Sequence, residues 1–508
     1  MKVCLINPRY TDTESNNIPH GLLSLCATVK KEGYHCDILD CNLYAKNADY
    51  RALHKYDIVG LSVFTSQLPH AVEIAERVRG RTKVVWGGIH CLLDPISILN
   101  RFKDDLVISG EGEIPFLKLL DHFSGRAKVS LNDIGGLCHV RDGKPVIASP
   151  YFMKDINEIA DIDYRDLPYL EKYLERHNYY FSRKSRFLGI VTGRGCPWDC
   201  SFCINSIFRK HGAYHRCKDI AKIRREVEPI IDAFGIEEVA LRDDDFFANR
   251  KLVKDWAEFA KQRSILWSAN ARYNYIRSNM FGAEELKSLS ESGLFALGMS
   301  IEAGDEEIRN TVINKKLKDS DITNAVDILN KSGSGIVVNT SFVAYFPGDT
   351  AKNRIDNIKW MDYLSSNINI CFSGPQVYRS YPGCKLYDME KTQVYGNLSY
   401  YMSQLKKNGS YAFGTSGDKH SMLFFSEGIR VFFNTRMRQL QLSGNGFATM
   451  KKRRIGFLSS AFMNLLFFSV KLRLKFNYWG LFIEPGFIGK IFGLAAALYR
   501  FKARLRAF

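Results

Sequence analysis

The chain has 508 residues, of which 46% are hydrophobic and 25% charged, and its net charge at pH 7 is +17. These values are typical of a globular protein of two to four domains and exclude a small disulfide-rich scaffold. The N-terminus, MKVCLINPRY, lacks the apolar core and cleavage site of a signal peptide. We therefore expect a cytoplasmic protein whose twelve cysteines are reduced, some of them as metal ligands.

Residues 1–125 alternate short apolar runs with helical stretches, which predicts a doubly wound parallel sheet. The runs are KVCLIN, HCDILD, DIVGLSVFTS, KVVWGGIH and DLVISGEGE. Ligands of such sheets lie beyond the carboxyl ends of the strands. The residues at those ends are Asn7, Ser62, Thr65, Gly87, Gly88, His90, Gly110, Glu111 and Gly112.

Residues 126–185 are less regular and are predicted to be a linker, with a hairpin turn at VRDGKP. A second alternating series follows over residues 186–375, from FLGIVTG through EEVALRDDDF, ILWSANAR, FALGMSIEAG and GIVVNTSFVAYFPG to ICFSGPQVY. Six such units are too few for a complete eight-stranded barrel, which needs about 250 residues. The sequence therefore predicts a partial (β/α)6 barrel.

Residues 376–508 are predicted to be an α-rich, basic C-terminal region. Residues 451–508 contain twelve Lys or Arg and one Glu, and so hold eleven of the seventeen excess charges. The uncharged run 455–470 is shorter than the roughly 20 residues of a membrane span. Bulky apolar residues mixed with Lys and Arg favour contact of 451–508 with a membrane surface, or a helical domain packed on the barrel. No recognised RNA-binding module is present, and we expect no nucleic-acid partner.

The stretch GRGCPWDCSFC, residues 193–203, spaces three cysteines as C-x3-C-x2-C. It follows a predicted strand, which places it on the reactive face of a barrel. Thiolates suit iron–sulfur clusters, and three of them can hold three irons of a four-iron cubane while the fourth iron stays open. A zinc site completed by His211 or His215 is the alternative.

This spacing, with the aromatic Phe202 before the last cysteine, resembles the signature of radical S-adenosylmethionine (SAM) enzymes. The resemblance implies that Cys196, Cys200 and Cys203 hold a 4Fe-4S cluster, with Phe202 among the residues beside the cofactors. It implies that the open iron chelates the amino and carboxylate groups of SAM, and that an electron cleaves SAM to a 5′-deoxyadenosyl radical. It also implies an electron donor such as flavodoxin or ferredoxin.

Later barrel segments resemble the same family. By that resemblance Asp243 and Asp244 in VALRDDDFFANRK face the SAM amino group, Arg272 in WSANAR pairs with the SAM carboxylate, and Glu302 in GMSIEAG reaches the ribose or methionine. A helix cap, a surface ion pair and a structural acid are the respective alternatives. The segment FVAYFPGDT departs from the family, because Tyr345 stands where Gly is usual and Asp349 replaces Glu.

The first domain resembles the cobalamin-binding domain that precedes many radical SAM barrels, so that the resemblance covers nearly all of residues 1–375. Gly87 and Gly88 would let the backbone approach a nucleotide tail, and Ser62 would hydrogen-bond the dimethylbenzimidazole. The remaining residues of the predicted cobalamin site are Thr65, His90, Gly110, Glu111 and Gly112. The alternatives are a satisfied loop histidine for His90 and acids that begin a helix for Glu111 and Glu113.

One family feature is absent. Many cobalamin domains carry D-x-H-x-x-G after the first strand, and its His ligates cobalt. The loop here is NPRYTDTESNNIPHG, in which His20 precedes Gly21 but no Asp stands two residues before His20. We therefore expect a cobalt without a protein His ligand on its lower face, which suits methyl chemistry.

These resemblances imply a cobalamin-dependent radical SAM enzyme, which we expect to transfer a methyl group to an unactivated carbon of a small-molecule or lipid substrate. Two alternatives remain open. The same cofactors could serve a non-methylating oxidation, cyclisation or rearrangement, or the chain could be a non-enzymatic corrinoid or iron–sulfur sensor. The expected location is the cytoplasm, or the inner face of the membrane as a peripheral protein.

Overall fold

The computed structural model describes residues 1–10, 17–43, 50–175, 186–212, 214–373, 376–379, 381–389 and 395–408. The basic segment 451–508, for which membrane-surface contact was predicted, lies outside the described residues. Within the described part of the chain, no helix is long and apolar enough to cross a membrane.

The N-terminal part folds around a seven-stranded sheet in the order β2-β1-β3-β4-β5-β6-β7. The first five strands are parallel, and β6 and β7 are antiparallel additions at one edge. The strands are β1 Lys2–Asn7, β2 His35–Asp40, β3 Ile58–Ser62, β4 Lys83–Gly87, β5 Leu106–Ile108, β6 Leu137–Arg141 and β7 Lys144–Val146.

Helices cover both faces of this sheet, which confirms the predicted doubly wound fold. Strand β1 shows why: Val3 through Asn7 are all buried, as expected for a strand with helices on both sides. The helices are α1 His20–Lys31, α2 Leu68–Val78, α3 Ile89–Leu93, α4 Pro95–Arg101 and α5 Glu113–Ser124.

Strands β6 and β7 lie within residues 126–185, which were predicted to be a linker with a hairpin turn. Asp142 and Gly143 both adopt positive φ, at 51° and 75°, as the two-residue turn of a tight hairpin requires. The hairpin at VRDGKP is therefore present, and burial of Leu137 and Cys138 attaches it to the first sheet. The short helix α6, Leu170–Leu174, precedes the next gap in the described chain.

The second unit is a six-stranded sheet in the order β16-β14-β13-β12-β11-β8, and all its neighbouring strands are parallel. This is the predicted partial (β/α)6 barrel. Its strands and the short flanking strands are β8 Phe187–Ile190, β9 Gly193–Arg194, β10 Arg216–Cys217, β11 Glu238–Leu241, β12 Leu266–Asn270, β13 Leu294–Gly298, β14 Val337–Thr340, β15 Val343–Ala344, β16 Ile370–Phe372 and β17 Gln376–Val377.

Amphipathic helices connect these strands and pack on the outer face of the sheet. Helix α9 is typical: it begins at the capping residue Asn249 and buries Val253 and Trp256 against the strands. The helices of this half of the chain, the last two of which follow the final strand, are α7 Asn205–Lys210, α8 Ile220–Phe234, α9 Arg250–Gln262, α10 Ala283–Glu291, α11 Glu306–Thr311, α12 Asp319–Ser332, α13 Ala351–Asn367, α14 Lys385–Asp388 and α15 Leu398–Asn408.

Helix α15 returns the chain to the first domain. Leu398 and Tyr401 are buried in the core cluster that lies on one face of the first sheet. The Tyr401 hydroxyl donates to Asp94 Oδ2 at 3.1 Å, and the Gly396 amide donates to the same oxygen at 2.7 Å. The segment after the barrel therefore ties the two halves of the molecule together.

Candidate functional site

A cavity of 570 Å³ lies between the first sheet and the barrel. One wall consists of residues at the carboxyl ends of β1, β3, β4 and β5, including Asn7, Ser62 and Gly87. The opposite wall consists of residues that follow β8 and β11, including Gly193 and Asp244. The carboxyl ends of two parallel sheets thus open into one shared space, where ligands of such sheets bind.

The paired glycines after β4 have different roles. Gly88 has φ 88°, and a Cβ there would lie 2.6 Å from Val63 N, so no larger residue fits beside the β3 loop. A Cβ on Gly87 would meet only Leu61 O, at 4.0 Å, and Gly87 lines the cavity. The first glycine therefore leaves space for a ligand, and the second allows two backbone segments to approach.

Gly110 and Gly112 also line the cavity, together with Ser62. Gly110 has φ 100°, and a Cβ there would lie 2.2 Å from Tyr151 O. The backbone after β5 can therefore follow this path only with glycine at position 110. Ser62, Gly87, Gly110 and Gly112 are thus brought to one surface, as the sequence predicted for a shared ligand.

Thr65 and His90 do not belong to this surface, although both were predicted to bind the cofactor. His90 is 1% exposed, and its ring nitrogens lie 3.1 Å from Thr65 Oγ1 and 3.0 Å from Ser97 Oγ. Burial lowers the pKa of His90 to about 3, so the ring is neutral. Because the polar atoms of Thr65 and His90 are hydrogen-bonded inside the core, neither residue belongs to the proposed cofactor site.

His20 begins helix α1 and lines the cavity. Its Nδ1 is buried without a hydrogen-bond partner, and its ring also bonds the backbone of Gly189. Burial, helped by the nearby Lys218 and Arg242, lowers the pKa of His20 to about 3. The ring therefore packs in the wall, and the absence of a cobalt-ligating histidine stays a prediction.

The two acids of the GEGE segment are engaged by arginines of the barrel. Glu111 accepts two hydrogen bonds from Arg216, both at 2.8 Å, and lies 3.2 Å from Arg194. Glu113 accepts from Arg194 at 2.5 Å and from Ser24 at 2.6 Å. Burial alone would raise the pKa of Glu113, but the Arg194 charge and these hydrogen bonds outweigh it, so the pKa lies below its ordinary value. Glu111, which was predicted to bind the cofactor, thus serves the contact between the domains.

The three cysteines of the predicted cluster lie together on the loop after β9. Cys200 is buried, while Cys196 and Cys203 are partly exposed. Burial is the main reason that the pKa of the Cys196 and Cys203 thiols is raised, to about 12 for Cys203, and the neighbouring thiols act in the same direction. Among the described residues, no group of three His, Cys, Asp or Glu side chains is arranged to hold a single metal ion.

Asp243 is a structural residue of the loop stem. Its carboxylate accepts from Thr192 N at 2.6 Å, from Gly193 N at 3.0 Å and from the Thr192 hydroxyl. These bonds tie the end of β11 to the start of the three-cysteine loop and occupy both oxygens. Asp243 therefore has little capacity left for the SAM amino group that it was predicted to face.

Asp244 is solvent-exposed and lines the cavity, but the surrounding protein atoms still exclude enough water to raise the pKa of its carboxyl. A hydrogen bond from Asn205 and the nearby His215 oppose this shift. Both predicted acids line the cavity, but only Asp243 has both carboxylate oxygens engaged by the three-cysteine loop stem.

The sequence analysis missed Asp245, the third acid of the DDD run. Asp245 is 2% exposed; Tyr275 donates to its Oδ2 at 2.7 Å, and the Cys196 thiol lies 3.7 Å from the same oxygen. Its Oδ1 is buried and has no partner. A buried carboxylate oxygen without a donor is rare, and this one can accept from a ligand or from a water molecule. The run of three consecutive acids was a visible signal of a site, but it did not show which of the three carboxylates are buried.

Arg272 lies against the three-cysteine loop and is 6% exposed. Its guanidinium lies 3.9 Å from the centre of the Trp198 ring and 4.0 Å from Cys200 Sγ, and it donates to the carbonyl of Lys315. The surface ion pair that was the alternative for Arg272 is therefore excluded. A buried cation beside the predicted cluster ligands suits an anionic group.

Glu302 and Lys315 form a buried pair, with Lys315 Nζ 3.2 Å from Glu302 Oε1. Glu302 adopts φ 72°, which is unusual for a residue with a side chain and is common at binding sites. Tyr345 adopts φ 64°, so the backbone keeps the glycine-type conformation although the residue is tyrosine. Asp349 stabilises this turn, because its Oδ2 accepts from Tyr345 N at 2.6 Å.

Phe202 packs against a small core cluster. The cluster contains Ala303, Ile313, Phe346, Tyr378 and Leu386. The aromatic residue of the signature therefore anchors the loop to the later strands of the barrel, between the second and third of the predicted cluster ligands.

The fold and this site define an enzyme in which a doubly wound ligand-binding sheet faces a partial barrel with a three-thiol loop. Residues 190–361 match the radical SAM superfamily, and residues 11–120 match the B12 binding domain. The chain is a radical SAM enzyme with an N-terminal B12-binding domain, and the cofactors of these two domains are a 4Fe-4S cluster, SAM and cobalamin.

Several known proteins are similar to this chain over most of its length. An uncharacterized methyltransferase of Pyrococcus horikoshii is 27% identical over 384 residues, which are 73% of this chain and 78% of that protein. The anaerobic magnesium-protoporphyrin IX monomethyl ester cyclase of Rubrivivax gelatinosus is 25% identical over 378 residues, 71% of this chain and 65% of that protein. The structure of the cobalamin-dependent SAM radical enzyme OxsB with aqua-cobalamin bound has the same fold, with a TM-score of 0.64, 14% identity and coverage of 92% and 72%.

Proposed function

We propose that this enzyme transfers a methyl group from SAM, by way of cobalamin, to an unactivated carbon of a small-molecule or lipid substrate. The observation that carries the proposal is the shared cavity, because Gly87 on one wall and Asp244 on the other face the same 570 Å³. A methyl carrier bound at the first wall and SAM bound at the second would both reach a substrate placed between them. The methyltransferase name of the relative from Pyrococcus horikoshii also supports methyl transfer.

The residues in and around the three-cysteine loop, next to the second wall, fit a cluster and SAM. Cys196, Cys200 and Cys203 are three soft ligands on one loop, the set that a cluster with one open iron needs. The unpartnered Oδ1 of Asp245 fits an ammonium group, and the Arg272 guanidinium fits a carboxylate. We propose that Asp245 and Asp244 receive the SAM amino group, that Arg272 receives its carboxylate, and that Glu302 contacts the ribose or methionine.

The residues of the first wall fit a corrinoid. Gly87 presents no side chain to the cavity, and Gly110 and Gly112 continue this smooth surface. We propose that Ser62 hydrogen-bonds the nucleotide tail and that the three glycines pass close to it. The side chain of Phe64 is 45% exposed and lines the same cavity, so it can cover an apolar face of the ligand and exclude water.

When bound, these groups supply the electron that cleaves SAM and a carrier for the methyl group. The protein holds and orients them and excludes water from the space between them. Overall, one C–H bond becomes a C–CH3 bond. One SAM becomes S-adenosylhomocysteine, a second becomes methionine and 5′-deoxyadenosine, and an external donor supplies two electrons. We propose flavodoxin or ferredoxin as that electron donor. Separately, we propose that the basic segment 451–508 contacts a membrane surface.

A non-methylating cyclisation or oxidation is the second candidate, and similarity to the cyclase from Rubrivivax gelatinosus favours it. The two candidates differ in their products, since only methyl transfer consumes a second SAM. The experiment is anaerobic reconstitution with iron, sulfide and hydroxocobalamin, followed by quantification of both SAM products with candidate substrates. Equal amounts of S-adenosylhomocysteine and 5′-deoxyadenosine, with a methylated product, support the proposal. Formation of 5′-deoxyadenosine alone with an unmethylated product would refute methyl transfer.

Two reciprocal variants control this experiment. Cys203→Ala removes one proposed cluster ligand and should abolish the iron–sulfur absorption while cobalamin still binds. Gly87→Leu fills part of the cavity and should weaken cobalamin binding while the iron content stays at the wild-type level. If Cys203→Ala retains a complete cluster, the assignment of the ligands is wrong.

A further inference from the structure

The three-cysteine loop stands on a two-stranded ribbon. Gly193–Arg194 of β9 pairs antiparallel with Arg216–Cys217 of β10, and the loop between them contains all three proposed cluster ligands. Each strand of the ribbon contributes one arginine, Arg194 or Arg216. The position of the loop therefore depends on what holds these two side chains.

Both arginines are held by the first domain. Arg216 binds Glu111 through two hydrogen bonds of 2.8 Å, a bidentate geometry that fixes direction as well as distance. Arg194 bridges both acids, with Nη2 2.5 Å from Glu113 Oε1 and Nη1 3.2 Å from Glu111 Oε1. The two acids and Arg216 are between 5% and 11% exposed at their side chains, so water screens these pairs weakly.

The acids are themselves fixed within the first domain. The Ser24 hydroxyl of α1 donates to Glu113 at 2.6 Å, and the Met153 amide donates to Glu111 at 2.8 Å. Glu111 and Glu113 follow β5 directly, on the same turn as the cavity-lining Gly110 and Gly112. The turn after β5 thus contains both the glycines proposed to contact the corrinoid and the acids that bind the arginines of the cluster loop.

We propose that Glu111, Glu113, Arg194 and Arg216 form a clamp that sets the position of the iron–sulfur loop relative to the corrinoid. They are positioning residues, since they act through the backbone of the loop and of the β5 turn and contribute no net charge as a set. The inference rests on the proposed function for its purpose, because methyl transfer between two cofactors needs a fixed separation. A displacement of about 1 Å at such a site costs about 100-fold in rate.

The test measures the separation of the two metal centres in the holoenzyme. When the cluster is reduced and cobalt is in the Co(II) state, both are paramagnetic, and their magnetic dipolar interaction reports their distance. We expect one well-defined interaction in the wild-type protein and a broadened, weaker one in Arg194→Gln and Glu113→Gln. We also expect kcat to fall about 100-fold in these variants, with iron and cobalamin contents unchanged. Arg194→Lys keeps the positive charge but lacks the planar guanidinium with its paired N–H donors, so its kcat should lie between those of Arg194→Gln and the wild type.

The matched control is Arg250→Gln. Arg250 forms an ion pair of 2.9 Å with Glu285 between the first turns of α9 and α10, and neither residue lines the cavity. It should change neither the dipolar interaction nor kcat. Because Glu113→Gln preserves shape, it keeps the test valid if Arg194→Gln folds poorly.

The clamp is overturned if the dipolar interaction is unchanged in Arg194→Gln and Glu113→Gln proteins that are folded and contain both cofactors. This holds even if the melting temperature falls, because the four residues would then contribute to stability alone. The measurement needs no turnover and is therefore separable from the proposed function. If the wild-type enzyme fails to methylate while the variants still alter the dipolar interaction, the clamp stands and the proposed function fails.

Discussion

The adjacent glycines at the end of β4 predict opposite effects for neighbouring substitutions. Gly88 has φ 88° and ψ −172°, a region in which a residue with a side chain costs about 1–3 kcal/mol. The added Cβ would also lie 2.6 Å from Val63 N and 3.0 Å from Val63 O. These are backbone atoms that cannot rotate away, which adds about 1–3 kcal/mol. Gly88→Ala should therefore destabilise the first domain by about 2–6 kcal/mol.

Gly87 does not have a positive φ, and an added Cβ would meet nothing closer than 4.0 Å. Gly87→Leu should therefore change stability by less than about 0.5 kcal/mol. Its side chain would enter the space proposed for cobalamin, and the overpacking of about 1–3 kcal/mol should weaken cobalamin binding about 5- to 150-fold. One position would then report on folding and its neighbour on ligand binding.

The assays are thermal unfolding of the cofactor-free protein and titration with hydroxocobalamin followed by absorbance. Gly80→Ala is the matched control, since Gly80 has φ 80° and open space around the added Cβ. It should show only the conformational cost, so that the difference from Gly88→Ala measures the close approach to Val63. If Gly88→Ala is as stable as Gly80→Ala, or if Gly87→Leu binds cobalamin as tightly as wild type, this account of the cavity wall is wrong.

Three further predictions concern single side chains. Burial raises the pKa of Asp105 to about 6 despite its hydrogen bond from Trp86, so the stability that protonated Asp105 contributes is present below about pH 4 and lost as the pH rises through about 6. Asp105→Asn should therefore raise the free energy of unfolding at pH 7 by about 3 kcal/mol. Urea unfolding tests this, and a difference between the two proteins that stays constant from pH 4 to 7 would contradict it. Asp243→Ala leaves buried amides unpaired and should lower the free energy of unfolding by about 3 kcal/mol and also lower the iron content. Asp243→Asn should largely retain the stability and the iron content. Equal iron contents in the two variants would refute a role of Asp243 in the loop stem. His20→Ala should leave the electron paramagnetic resonance spectrum of bound Co(II) unchanged, and loss of a nitrogen splitting in that variant would identify His20 as a ligand.

Sequence alone determined the elements whose pattern is local. The alternation of apolar runs and helical stretches predicted both parallel sheets, because a strand buried between helices needs apolar residues on both faces, as Val3 and Ile6 of β1 have. The spacing of Cys196, Cys200 and Cys203 identified the loop that carries them, since thiol ligands of one cluster can come from one short segment. The turn at Asp142 and Gly143 was likewise visible in the sequence.

Only the tertiary structure decided which polar side chains find their hydrogen-bond partners within the protein. The sequence could not distinguish Asp243, which is bonded to Thr192, from Asp245, whose Oδ1 has no partner, because they lie two residues apart at the irregular end of a strand. It could not show that His90 turns into the core toward Ser97. Nor could it pair Glu113 with Arg194, which are 81 residues apart and meet only when the two sheets face each other. Hydrogen-bond partners across domains are set by the packing of whole sheets, and a local pattern carries no record of that packing.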